Sequence, residues 1–148
     1  MDTLDRTLLG LLQTDASLSV GRLAERIGTS KSACWRRIQK LEETGVIRSR
    51  VTLLEPAALG LNLTVFISVR TNQHNREWAQ HFSSVVESIP GIMEVYRMGG
   101  DVDYLLKAVV RDMPGYDALY QQLIQADLFD VTASFVMETI KQTSELPL

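Results

Sequence analysis

The first 45 residues contain three apolar repeats at helical spacing. The first two are formed by Leu4, Leu8, Leu11 and Leu12, and by Val20, Leu23, Ala24 and Ile27. Gly28 is a typical helix-ending residue, and the hydroxyls of Thr29 and Ser30 can cap a third helix. That helix is expected to run to about Thr44, before Gly45. The pattern therefore predicts three helices, with a tight glycine-containing turn before the third.

The third helix has two contrasting sides. Cys34, Ile38 and Leu41 fall on one stripe, which must face the core. The other side is cationic and hydrogen-bonding and carries one large aromatic; with the cap it comprises Ser30, Lys31, Ser32, Trp35, Arg36, Gln39 and Lys40. Two helices joined by such a turn form a helix-turn-helix, whose second helix fits the major groove of double-stranded DNA.

A three-helix bundle that binds no DNA is the alternative, because any solvated helix has a polar outer face. Trp35 favours DNA, since a solvated face seldom carries tryptophan. Arg37 lies at the edge of the core stripe, where either an acidic partner or a phosphate would suit it. The following segment, VIRSRVTLLEP, is typical of an extended chain, so we expect a winged variant in which Arg48 and Arg50 contact phosphates.

After Gly60 the apolar period changes from helical to alternating. The stretches NLTVFISVR, IMEVYRM, DYLLKAVV and VTASFVMET are predicted strands. Two amphipathic helices lie between them, one marked by Trp78, Phe82, Val85, Val86 and Ile89, the other by Tyr116, Leu119, Tyr120, Leu123 and Ile124. The order β-α-β-β-α-β is the ferredoxin-like arrangement, so the fold class is α+β.

Two helices can cover only one face of a four-stranded sheet, and the other face is expected to be too apolar for water. Phe66 falls on one face or the other, as do Leu106, Ala108 and Val110. An open apolar face implies a partner, and a second copy is the simplest one. The predicted domains are a DNA-binding domain at 1–50, a linker or wing strand at 51–61, and a ferredoxin-like domain at 62–148.

Charge divides in the same way. The whole chain carries −3, but residues 1–60 hold nine Lys and Arg against seven Asp and Glu, whereas residues 61–148 hold six against eleven. This split is typical of an anion-binding half joined to a half with another task.

Composition excludes several classes of protein. No apolar run is long enough to span a membrane, and Asp2 and Asp5 stand where a signal peptide needs cations. The lone Cys34 allows no internal disulfide and lies on the core stripe. His74 and His81 lack a further ligand or base nearby and are expected at the surface. We therefore expect a cytoplasmic protein that is not an enzyme and has no metal or cofactor.

The loop MGGDVDY, residues 98–104, is the one concentrated polar feature of the second half. Its glycines let backbone N–H groups approach a ligand, and Asp101 and Asp103 supply carboxylates. Such a pair of groups suits an α-amino acid. A plain hairpin turn explains the same residues and, on pattern alone, is favoured.

The chain resembles the Lrp/AsnC (leucine-responsive regulator/asparagine regulator) family of transcription factors over nearly its whole length. The matching motifs are LDRTLLGLLQTD, LAERIGTSKSACWRRIQKLEETGVI, GGDVDYLLKAVV and VMETIKQT. The resemblance implies a winged helix-turn-helix followed by an amino-acid-sensing domain. It also implies dimers through the sensing-domain sheets and further assembly, for example to octamers.

The resemblance further implies that an effector amino acid binds where sensing domains of different dimers meet, beside the glycine-aspartate turn. The positions it indicates are Met98, Gly100, Asp101, Asp103 and Tyr104, with Ser134 as a weaker candidate. Arg97 stands where the leucine-responsive member has an apolar residue, which argues against a simple leucine pocket. NREWAQHF, VYRMGGDVDYLL and the tail ending LPL most resemble a subgroup associated with a response to cysteine, so cysteine is the leading expected effector.

Overall fold

The computed structural model describes residues 1–148 and divides them into two compact units. The first unit is Met1–Leu53 with Ile140–Leu148, and the second is Leu54–Thr139. The predicted second domain extended to residue 148, so the structure differs there. In the first unit the Gln13 side-chain amide donates to the Leu146 carbonyl oxygen at 3.2 Å and accepts from the Leu146 N–H at 2.7 Å.

Three helices form the first unit: α1 (Thr3–Thr14), α2 (Val20–Ile27) and α3 (Lys31–Glu43). Each follows a polar residue whose side chain accepts a backbone N–H of the first turn, namely Asp2, Ser19 and Ser30. Gly28 ends α2 with φ of 68°, in the left-handed region that favours glycine. Gly28 and Ser30 fix the turn between α2 and α3, and the predicted helix-turn-helix is confirmed.

The core of the first unit follows the predicted stripes with one exchange. Its fully buried side chains are Leu8, Leu23, Cys34 and Ile38. In α1, however, Leu9 is buried, whereas Leu4 was predicted on the stripe and is 36% exposed. Leu4 lies in the first turn of α1, and the buried face of that helix is centred on Leu8 and Leu9 instead.

The predicted wing strand is not formed. Residues 44–62 contain no strand, and their one regular element is a short 3-10 turn at Ala57–Leu59. A strand requires a neighbour that pairs with its backbone N–H and C=O groups, and the first unit contains no other strand. A sequence typical of an extended chain was therefore insufficient to predict a strand. Arg48 and Arg50 lie on an irregular segment instead.

The second unit has the predicted β-α-β-β-α-β order. Its elements are β1 (Leu63–Arg70), α4 (Arg76–Glu87), β2 (Ile92–Arg97), β3 (Tyr104–Val110), α5 (Met113–Leu123) and β4 (Asp130–Phe135). All pairs are antiparallel, and the sheet order is β2-β3-β1-β4. This is the ferredoxin-like fold, as predicted. The last strand ends at Phe135 rather than continuing to Thr139, because β1, its only neighbour, begins at Leu63.

One face of the sheet packs against α4 and α5. Alternate residues of β1 and β3 are fully buried there: Val65, Ile67, Val69, Leu106 and Ala108. The helices contribute Trp78, Phe82, Leu119 and Leu123 to the same core. This resolves the ambiguity of the strand pattern, since Leu106, Ala108 and Val110 all lie under the helices.

The other face of the sheet is open and chemically mixed. Alternation places Phe66, Tyr96, Leu105 and Val109 on it, and Phe66 is 37% and Tyr96 49% exposed. Lys107 also lies there, with its Nζ 3.1 Å from Glu94 Oε1. The face is therefore less uniformly apolar than the sequence suggested. No helix of the chain has the length and apolarity needed to cross a membrane.

Candidate functional site

The outer face of α3 carries the first candidate site. The Ser30 hydroxyl accepts the N–H of Ala33 at 3.2 Å and lies 3.3 Å from the Ser32 hydroxyl, so the start of the helix is fixed. Trp35 is 46% exposed although it is among the largest apolar side chains in the unit. The remaining predicted positions on this face are all exposed: Lys31, Ser32, Arg36, Gln39 and Lys40. The structure thus brings the predicted positions of α3 together on one accessible surface.

Arg37, the neighbour of Arg36, is bound inside the unit. Its Nη1 lies 2.7 Å from Asp2 Oδ2 and 2.7 Å from Asp5 Oδ1. Hydrogen bonds to Asp5 and then Asp2 raise the pKa of Arg37. The choice left open by the sequence is settled, because Arg37 pairs with acids of α1 and its cap and its charge is neutralised locally.

The two arginines after α3 differ from each other. Arg50 Nη2 lies 2.7 Å from Glu42 Oε1, so this guanidinium already has an anionic partner. Arg48 is exposed and forms no ion pair or side-chain hydrogen bond. A phosphate could approach Arg48 directly, whereas at Arg50 it would have to compete with Glu42.

The loop between β2 and β3 is held by four hydrogen bonds. The Met98 N–H donates to the Asp103 carbonyl oxygen at 2.8 Å, and the Asp103 N–H donates to the Val69 carbonyl oxygen at 3.1 Å. Asp103 Oδ2 accepts the Thr71 N–H at 2.8 Å, and Arg70 Nε donates to the Asp101 carbonyl oxygen at 2.7 Å. The loop is therefore ordered by β1, and half of the Asp103 carboxylate is already in use.

A cavity of about 300 Å³ lies between this loop and the start of α4; we call it the α4 cavity. Its lining residues are Thr71, Gln73, His74, Asn75, Arg76, Trp78, Ala79, Arg97, Met98, Asp103 and Tyr104. Its volume is at the lower end of small-molecule pockets, which is adequate for a metabolite. Three predicted effector positions line it, namely Met98, Asp103 and Tyr104.

Three other predicted effector positions lie elsewhere in this chain. Gly100 and Asp101 are exposed at the tip of the loop and do not line the α4 cavity. Ser134 pairs with Phe66, on the open face of the sheet, whereas Tyr104 packs against Trp78 and Phe82 under α4. The pleat separates Ser134 from the cavity, because successive residues of a strand point to opposite faces.

Sequence reasoning missed the wall of the cavity that the segment between β1 and α4, together with the first residue of α4, contributes. That wall includes Thr71, Gln73, His74, Asn75 and Arg76. The Asn75 side chain accepts the N–H of Trp78 at 2.8 Å, which caps α4 and leaves the N–H groups of its first two residues free. A polar run that ends in a capping residue immediately before an amphipathic helix was the available signal.

Asp127 fixes this wall from behind. Its carbonyl oxygen accepts the Trp78 Nε1–H at 3.0 Å, and its Oδ2 accepts the Gln73 amide at 2.6 Å. Trp78 also stacks on Phe82, with ring centroids 5.1 Å apart. Both side chains that Asp127 holds line the cavity, so its shape depends on the packed core of the unit.

The two histidines and the single cysteine are the remaining side chains that the sequence analysis considered. His74 and His81 are both exposed, and one His81 ring nitrogen lies 3.0 Å from the Gln125 carbonyl oxygen. Cys34 is buried, and burial raises the pKa of its thiol. No group of three His, Cys, Asp or Glu side chains is arranged to hold a metal ion.

Two family models match the chain. The AsnC-type helix-turn-helix domain matches residues 1–42, and the Lrp/AsnC ligand binding domain matches residues 64–146. Among curated proteins, the glutamate uptake regulatory protein of Zymomonas mobilis is 45% identical over 149 residues, covering 100% of this chain and 91% of the relative. The DNA-binding transcriptional activator DecR of Escherichia coli K12 is 42% identical over 150 residues, covering 100% and 99%.

Solved structures agree with both family matches. An AsnC family transcriptional regulator from Agrobacterium tumefaciens is 52% identical and superimposes with a TM-score of 0.94, over 99% of this chain and 97% of the other. A transcriptional regulator from Neisseria meningitidis, solved as a complex with L-methionine, is 31% identical with a TM-score of 0.92, over 99% and 96%.

Proposed function

This chain belongs to the Lrp/AsnC family of DNA-binding transcriptional regulators, and we propose that it reads specific DNA through the outer face of α3 and responds to an amino acid held in the α4 cavity. The family consists of regulators with an amino-acid-binding domain rather than enzymes, so that prediction is confirmed. The proposed location of the protein is the cytoplasm, where it would meet DNA.

The exposed aromatic and cations of α3 carry the DNA proposal. Trp35 is nearly half exposed and stands beside Arg36, which forms no ion pair, while Arg37 is neutralised by two carboxylates. The surface left for a partner is therefore cationic, hydrogen-bonding and aromatic, as a DNA major groove requires. Ser30 caps α3, and Lys31 and Ser32 lie in its first turn, which is the part of a recognition helix nearest the base edges.

The test uses a duplex selected from a random-sequence pool by the full-length protein. We expect its affinity to fall steeply as salt rises, because cations that contact phosphates release condensed counterions. Arg36→Ala should weaken binding by about 1–3 kcal/mol if it reads a base, or lower the salt slope by about one if it contacts a phosphate. Arg6→Ala is the matched control, because it removes an exposed cation of α1, outside the helix-turn-helix.

Two results would contradict this assignment. If the selection enriched no DNA sequence, the proposal of sequence-specific DNA recognition would be contradicted. An Arg36→Ala protein that binds like wild type, with the same salt slope, would remove Arg36 from the readout.

The α4 cavity carries the effector proposal. It is lined by Asp103, whose carboxylate suits an ammonium group, and by two arginines that suit a carboxylate. The relatives do not agree on one amino acid: one is named for glutamate uptake and another was solved with L-methionine. Cysteine, the expectation from subgroup resemblance, is therefore one candidate among several.

Thermal stability of the purified protein against each of the twenty amino acids tests the effector, with cysteine under reducing conditions. A ligand that binds only the folded state raises the melting temperature by mass action. A selective rise with one amino acid or one chemical class supports the proposal. If no amino acid raises the melting temperature, an amino-acid effector is excluded for the protein without DNA.

Assembly is part of the same proposal, with a second copy on the open face of the sheet and further association of dimers, for example to octamers. Support comes from Phe66 and Tyr96, whose exposed rings would be covered by a symmetric partner. Sedimentation should give a dimer or larger species for wild type. Phe66→Glu should shift it to monomer, and a wild-type protein that sediments as a monomer would contradict the proposal.

A further inference from the structure

The α4 cavity carries more positive than negative charge. Arg76 and Arg97 line it, and Asp103 is the only acidic side chain among its lining residues. Neither arginine forms an ion pair or a side-chain hydrogen bond within the chain. With His74 neutral, the lining therefore carries a net charge of +1 before any ligand enters.

The two arginines reach the cavity from different elements. Arg97 is the last residue of β2 and pairs with Tyr104, directly after Asp103. Arg76 is the first residue of α4 and adds its charge to a helix N-terminus with free N–H groups, which favours an anion. The cavity thus has a zwitterionic side at Arg97 and Asp103 and an anion-binding side at the start of α4.

An α-amino acid fits this division in one orientation. Its ammonium and carboxylate groups share one carbon atom, so they must bind to neighbouring groups. Asp103 directly precedes Tyr104, the residue of β3 that pairs with Arg97, and both Asp103 and Arg97 line the cavity. Asp103 Oδ1 is free for the ammonium, because Thr71 uses only Oδ2. The ligand side chain would then extend toward Arg76.

The lining as a whole disfavours an apolar ligand side chain. Seven of the eleven lining residues are polar or charged, so a leucine or methionine side chain would displace water from groups that it cannot hydrogen-bond. A second carboxylate would instead pair with a guanidinium and balance the charge of the lining. Such charge-assisted hydrogen bonds are stronger than neutral ones.

We propose that the α4 cavity selects an amino acid with a side-chain carboxylate, aspartate or glutamate, and that Arg76 is the residue that determines this specificity. The inference rests on the proposed amino-acid response. Arg97 binds the α-carboxylate, which every amino acid possesses, and therefore sets affinity without discriminating between side chains.

The experiment compares ligands that differ only in charge. Isothermal titration of the full-length protein is performed with glutamate and glutamine, with aspartate and asparagine, and with cysteine and methionine. We expect at least one acid to bind about tenfold or more tighter than its own amide, because the amide loses a charge-assisted contact. We also expect the acid to bind more tightly than cysteine or methionine.

Two variants assign the roles. Arg76→Gln should reduce the preference for acid over amide to near unity and retain the affinity for the amide. Arg97→Gln should weaken binding of acid and amide alike. Arg111→Gln is the control, because it removes an exposed arginine that follows β3 and does not line the cavity, and it should behave as wild type.

Each outcome supports or overturns a distinct statement. An amide, cysteine or methionine that binds as tightly as the acids would overturn the acidic specificity and leave the amino-acid response intact. An unchanged preference in Arg76→Gln would overturn the role of that residue. Absence of binding by all six ligands, together with no melting shift from any of the twenty amino acids, would overturn the amino-acid response itself.

Discussion

The two cationic regions of this protein differ in how they use acidic residues. In the first unit, the acids bind the arginines beside the outer face of α3, where Asp2 and Asp5 hold Arg37 and Glu42 holds Arg50. The cations that remain are exposed on the helix. In the second unit, Arg76 and Arg97 line a cavity, and the single acid there is tied to the backbone of Thr71.

This difference matches the size of the two proposed partners. A polyanion such as DNA can contact an exposed helix along its length, so cations on an accessible surface suffice. A small zwitterion needs both signs of charge within a few ångströms, which only a concave site built from several elements provides. The first site should therefore tolerate substitution without loss of fold, and the second should not.

The two tryptophans test this difference with the largest expected effect. Trp78→Ala should destabilise the second unit by about 3–5 kcal/mol, because the ring is 5% exposed and lines the cavity from within the core. Trp35→Ala should change stability by about 0.5 kcal/mol or less, because its ring is half exposed. Calorimetry and circular dichroism in denaturant measure both.

Trp35→Ala should nevertheless weaken DNA binding. Equal losses of stability in the two tryptophan variants would contradict the distinction between an exposed site and a site built on a core.

Substitutions of Asp103 should give the next largest effect. They distinguish its two roles, which are to bind the ligand and to accept the Thr71 N–H. Asp103→Ala should blunt the effector response and also cost about 1–3 kcal/mol, because the Thr71 N–H loses its acceptor. Asp103→Asn keeps an acceptor for Thr71 and removes the charge, so it should lose the response with near-normal stability. Melting curves with and without ligand distinguish the two variants.

DNA affinity should be unchanged by both Asp103 variants in the absence of effector. If Asp103→Asn retains the full response, the ligand ammonium does not bind this carboxylate.

Arg36 and Arg37 are adjacent and should behave in opposite ways. Arg37→Ala should lower the melting temperature modestly, because Asp2 and Asp5 lose their shared cation, and should leave operator affinity nearly intact. Arg36→Ala should do the reverse. If either substitution lowered both the melting temperature and the operator affinity, the distinction between the ion-paired Arg37 and the unpaired Arg36 would be contradicted.

Asp2 gives the smallest effect, which acid removes. The backbone N–H of Asp5, followed by Arg37, lowers the pKa of Asp2 from its ordinary value of 3.8. A carboxyl whose folded-state pKa is lowered contributes stability above its unfolded value and loses it as pH falls through the folded value. The melting temperature of wild type should therefore approach that of Asp2→Asn below pH 3.8 and exceed it above.

Local pattern was sufficient for the α3 site because a helix imposes its own geometry. Once the period was phased by Cys34, Ile38 and Leu41, the exposed positions of the helix followed. The wing strand failed for the complementary reason, since pairing depends on a neighbour that the pattern of one segment does not specify.

The α4 cavity shows the same limit more strongly. Its walls come from residues 71–79 and 97–104, which only the pairing of β1 with β3 brings together. Resemblance indicated the loop and thus Asp103, but not Arg76 on the opposite wall. It also grouped Ser134 with Tyr104, which the pleat of the sheet separates.

The hydrogen bonds between Gln13 and Leu146 have a topological consequence. The chain leaves the first unit after Leu53 and returns to it at Ile140, so in sequence the second unit is an insertion within the first. Two covalent connections therefore join the units, and the last nine residues belong to the DNA-binding unit. Gln13→Ala would remove the side-chain hydrogen bonds that hold Leu146 in the first unit.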